Sequence, residues 1–173
     1  MKERFMSGVK RRFLGLCLPV ILAGSLDATL TLCGQSPAYW AGDYQQVNEL
    51  GGFLNQLLRI HPLAFIAFEC FQFVVVSCFI LLVTDSLALL VSIASVFNAV
   101  LGASTWILPT SHGYVLTDVL FLSAALLLTI GIRYGWQARP AEKYELKWLS
   151  PLWRGILALA ITGVYVYLIT WPH

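Results

Sequence analysis

Three carboxylates stand inside stretches otherwise suited to a lipid bilayer: Asp27, Glu69 and Asp118. An ionisable group there is costly, so each asks for a partner or a function. His61 directly precedes one stretch, and His112 lies in the short connection Pro109-Thr110-Ser111-His112-Gly113. Asn98 lies near the middle of another stretch, and Glu49 lies in the longest polar connection. Asp27, Glu49, His61, Glu69, Asn98, His112 and Asp118 are the candidate polar site. Three chemistries are open to such a set. Protonated acids can hydrogen-bond neighbouring helices and fix their register. The group can instead hold an ion, a proton or a small ligand. Or His61, Glu69, His112 and Asp118 can offer nitrogen and oxygen ligands to a divalent metal. The His-Glu-x-x-His spacing of a zinc helix is missing, as are a phosphate loop, a dinucleotide fingerprint and a nucleophile elbow. Catalytic residues stay unassigned, and no cofactor is expected.

The elements that must position these groups follow from composition. Of 173 residues, 58% are hydrophobic and 12% charged, and the mean hydropathy is +0.76. A soluble domain carries about 25% charged residues, so this chain cannot coat a water-facing surface. A net charge of +2 is too weak for a nucleic-acid footprint. The expectation is one integral membrane domain, 1–173, an all-α bundle of five transmembrane helices. A membrane helix needs roughly 20 mostly apolar residues. The stretches 13–33, 62–84, 86–108, 114–134 and 152–171 meet that need. Thr84-Asp85-Ser86 breaks one long apolar run, with Asp85 expected as the N-cap of the third span. Pro19 predicts a kink in the first span. Ala88, Ser92, Ser95, Ala99 and Ala103 recur at small-residue spacing and predict close helix packing at the centre of the bundle; Gly24 and Ala28 make a shorter version.

Ten of the eleven basic residues fall before the first span or around the connection between the fourth and fifth. Basic residues favour the cytoplasmic side, which predicts the N-terminus inside and the C-terminus outside. The three acids then share the outer half, at roughly 6–11 Å depth by helical rise. The first span has the look of a signal peptide, but Asp27 interrupts it and no small-x-small cleavage site precedes Gln35, so an uncleaved anchor is expected. The outer loop 34–61 is long for a structureless connection. Phe53, Leu54, Leu57, Leu58 and Ile60 predict a short interfacial helix over 52–60, entered by a Gly51-Gly52 hinge. Cys17, Cys33, Cys70 and Cys78 match no zinc or haem-attachment spacing and are expected as buried thiols.

Asp27 with Thr29 or Thr31, then Asn48-Glu49, then His61-Pro62 resembles the first half of small uncharacterised bacterial multi-pass membrane proteins. Gly51-Gly52 stands where that pattern has Asn-Pro. The resemblance implies a small bacterial membrane protein and no activity. The function expected is a structural or accessory protein of the bacterial cytoplasmic membrane. Its partners would be the lipid bilayer and a larger membrane assembly or a homo-oligomer, with no nucleic acid. The alternative is a membrane-embedded enzyme, or an ion- or small-ligand-binding protein, with its polar site on the outer face.

Overall fold

The computed structural model describes residues 8–49 and 52–136. Every regular element among them is helical: α1 (Gly8–Cys33), α2 (Pro37–Trp40), α3 (Gly52–Ile60), α4 (Pro62–Leu82), α5 (Asp85–Ile107) and α6 (Gly113–Trp136). Four of them, α1, α4, α5 and α6, are long and apolar enough to cross a membrane. The fifth expected span, 152–171, and Gly51 of the expected hinge lie outside the described residues.

The first helix is not regular. Phe13–Cys17 forms a π turn, and the Leu18 N–H reaches back five residues to the Phe13 carbonyl. The cause is in the sequence. Pro19 has no N–H to give Gly15, and its ring would crowd that carbonyl. Widening the preceding turn relieves both problems, and the π turn stands just before Pro19. The widened turn then serves packing. Ser92 of α5 donates its hydroxyl to the Leu16 carbonyl at 2.8 Å. Gly15 lies against Gly131 and Gly135 of α6, so closely that a Cβ on Gly15 would sit 2.5 Å from the Gly131 carbonyl oxygen. Gly131 and Gly135 are a Gly-x-x-x-Gly pair, the spacing that lets membrane helices touch backbone to backbone.

Ala88, Ser92, Ala99 and Ala103 of α5 are buried as their spacing predicts, with Ser95 half-buried. The centre is shared, because α1 packs against α4, α5 and α6. Gly24 does a different job from the one expected of it: it clears space for the Phe73 ring of α4, not for a backbone. The core joins Leu16, Cys17, Val20 and Ala23 of α1 to Ile80 of α4 and to Ala88, Val96, Ala99 and Val100 of α5. Only Cys17 among the cysteines is buried. Cys33, Cys70 and Cys78 fall on outward faces, where an apolar thiol is tolerated as well as in the core.

Two ends of the bundle are distinct. At one, Arg12 of α1 pairs with Asp85 at 3.4 Å and donates to the Val83 carbonyl, tying α1 to the α4–α5 turn. Thr84, not Asp85, occupies the N-cap of α5. Asp85 sits in the first turn, where a carboxylate still favours the positive end of the helix dipole while facing Arg12. At the other end, residues 34–49 and 52–61 pack over the helices.

Candidate functional site

The segment 34–61 is built on polar contacts to the last turn of α1. Gln35 donates to the Thr31 carbonyl at 2.8 Å and accepts from the Asn48 N–H at 3.0 Å. Asn48 returns a bond to the Gly34 carbonyl at 2.9 Å. Ser36 caps α2 by accepting from the Tyr39 N–H. Tyr39 is fully buried and its hydroxyl donates to the Leu58 carbonyl of α3 at 3.1 Å. Burial pushes this phenol above its ordinary range, and Tyr44 adds to the effect. Tyr39, Leu58 and Phe65 form a second apolar cluster, flanked by Ala28, Leu32, Tyr44, Val47, Leu54 and Leu57. The leucines of α3 therefore face inward, as their spacing predicts. Phe53 reaches Phe68 of α4 edge to face at 5.0 Å.

Beneath this cover lie the acids. Asp27 of α1 and Glu69 of α4 are half-buried, as is Glu49 at the end of the loop. The three are within electrostatic reach of one another. Asp27 has its place because α5 carries no side chain at position 102. A Cβ on Gly102 would come within 2.7 Å of both Asp27 carboxylate oxygens. Asn98 stands four residues earlier on α5 and is exposed. Most basic residues of the described helices, Lys10, Arg11, Arg12 and Arg133, belong to the opposite end; Arg59 on α3 is the exception. Asp27, Glu49 and Glu69 thus come from three segments and stand near enough to feel one another's charge.

The remaining candidates have other settings. His61 is the N-cap of α4: its Nδ1 accepts from the Leu63 N–H at 3.1 Å, and its ring meets Tyr44 edge to face at 5.2 Å. His112 is exposed in the turn between α5 and α6, where its carbonyl accepts from the Leu116 N–H. Asp118 is exposed on α6. Among the described residues no three His, Cys, Asp or Glu side chains are placed to hold a metal ion, so His61, Glu69, His112 and Asp118 do not form the ligand set their residue types would allow.

Sequence reasoning missed Gly102, Gln35 and Tyr39. A signal for Gly102 existed: it is a glycine inside a span, at the depth of Asp27 when both are counted from their outer ends. Tyr39 carried none, since its burial depends on α3 folding back over α2. The chain matches no protein-family model, no curated protein and no solved structure.

Proposed function

We propose that this is an integral, multi-pass membrane protein of structural or accessory type, a non-enzymatic helix bundle that acts through association within the membrane. In this reading the chain crosses the bilayer five times, with the N-terminus inside and the C-terminus outside, in a bacterial cytoplasmic membrane. The observation that supports the reading is where the polar groups of the helices go. Ser92, Arg12, Tyr39 and Cys17 each bond a backbone carbonyl of another segment, and His61 caps its own helix. Side chains used this way fix geometry and are not left to meet a substrate.

The second reading is an ion- or small-ligand-binding site on the outer face, and the grouping of Asp27, Glu49 and Glu69 favours it. Elemental analysis of the purified protein, together with the Glu69→Gln variant, separates the two. The accessory reading expects no stoichiometric metal and a nearly silent Glu69→Gln, since an amide still donates and accepts. Glu69→Leu should then cost about 1 kcal/mol in unfolding, the scale of an interhelical polar contact. A stoichiometric divalent ion that Glu69→Gln removes would replace this reading with the second.

A further inference from the structure

The two ends of the bundle differ in charge. At the Arg12 end the described residues include Lys10, Arg11, Arg12 and Arg133, and the one acid among them is Asp85. Arg12 takes it, at 3.4 Å. Lys10, Arg11 and Arg133 are exposed, and the described residues of this end offer them no second carboxylate. Contact of Gly15 with Gly131 and Gly135 brings α1 and α6 together here, so the three cations share one end surface. That surface is also apolar in part. Ile130 and Tyr134 are exposed one turn apart on α6. Arg133 follows Ile130 by three residues, which puts the two on one side of the helix. Val9 is exposed beside Lys10 on α1. Cations and a phenol next to exposed apolar side chains mark the level where acyl chains give way to headgroups. A soluble acidic partner would match the cations and leave Ile130 bare. A phospholipid matches both, with its phosphate at the cations and its chain along Ile130.

We propose that the Arg12 end of the bundle binds anionic phospholipid, its phosphate headgroups held by Lys10, Arg11 and Arg133. The inference rests on the membrane reading of the chain, and on neither the number of spans nor the accessory role. A zwitterionic lipid answers its phosphate with its own ammonium group, so lipids of net negative charge are preferred. Each Lys or Arg near an anionic bilayer surface raises association about fivefold. The opposite end sets Asp27, Asp43, Glu49, Glu69 and Asp118 against Arg59 among the described residues. The preference therefore belongs to the leaflet at the Arg12 end.

Lipid retention by the full chain tests this. The protein is reconstituted into vesicles of phosphatidylcholine and phosphatidylglycerol in equal amounts and extracted with mild detergent, and the retained lipid is measured by mass spectrometry. The expected result is phosphatidylglycerol enriched about fivefold over phosphatidylcholine, and less so at high salt. Lys10→Gln, Arg11→Gln and Arg133→Gln should each lower the enrichment, and the triple variant should abolish it. Arg59→Gln should leave it unchanged. Lys10→Arg with Arg11→Lys and Arg133→Lys keeps the charges and should keep the enrichment, which separates loss of charge from loss of fold. No enrichment, enrichment that all the Gln variants keep, or enrichment that Arg59→Gln or the charge-keeping variant removes overturns the proposal. Displacement of the lipid by an equal concentration of inorganic phosphate also overturns it, because the site would then belong to a soluble anion. Flotation of the chain with the vesicles tells the failures apart. A chain that floats without enrichment overturns the lipid site alone. A chain that does not float overturns the membrane reading and the lipid site with it.

Discussion

Asp27 and Gly102 behave as one unit: the carboxylate occupies the volume that a side chain on α5 would need. Gly102→Ala must displace it, and overpacking of this kind costs about 1–3 kcal/mol. Unfolding in detergent should show that loss, and Asp27→Ala should recover most of it in the double variant, since residues in contact do not act additively. A Gly102→Ala protein as stable as the parent would mean that the carboxylate moves aside freely. Tyr39 gives a second test. Its hydroxyl is the donor to Leu58, so Tyr39→Phe should loosen α3 by about 1 kcal/mol, seen as faster hydrogen exchange across 52–60. The sign of the pH effect follows from the raised phenol. Above about pH 10 the undocked loop ionises first, so cover of the bundle weakens as pH rises, and Tyr39→Phe removes that part of the dependence. The presence of the acids was legible in the sequence. Which of them meet was not, because α1, α4, α5 and α6 are apolar on every side and periodicity says nothing about where a lone carboxyl points.

At the scale of elements, Gly131 and Gly135 near the end of α6 separate by their surroundings. A Cβ on Gly131 would collide with the Gly15 carbonyl oxygen, while a Cβ on Gly135 would meet nothing nearer than 3.6 Å. Gly131→Ala should therefore cost about 1–3 kcal/mol and Gly135→Ala almost nothing, in thermal melts of the same preparation. Equal effects would show that the close approach is not specific to Gly131. The existence of these helices was legible to within a few residues, because length and hydropathy alone define a span. The α3 helix matched its expected bounds, since water on one side and the bundle on the other restore an amphipathic pattern. The π turn and the glycine contact were not legible. Each depends on what another helix presents, Ser92 in one case and Gly131 in the other.

For the whole molecule, α1, α4, α5 and α6 alternate in direction, so the segment 34–61 and the turn before α6 share one end while Thr84 belongs to the other. Impermeant thiol labelling should reach Asp43→Cys and Ser111→Cys from one side of the membrane and Thr84→Cys from the other, in a background lacking the exposed cysteines. Labelling of all three from one side would contradict the alternation. The basic residues give each end an expected side from sequence alone, because charge bias acts on whole loops and does not need the packing. The faces of the helices needed the packing and were not readable.

The contacts that complete α1 come from well beyond it along the chain. Its π-turn carbonyl waits for Ser92, its carboxylate for the notch at Gly102, and Arg12 for the turn at Val83 and Asp85. A ribosome delivers these residues in order. The polar groups of α1 are therefore made 71 to 76 residues before the partners that satisfy them, and α1 reaches its final contacts only once the α4–α5 pair exists.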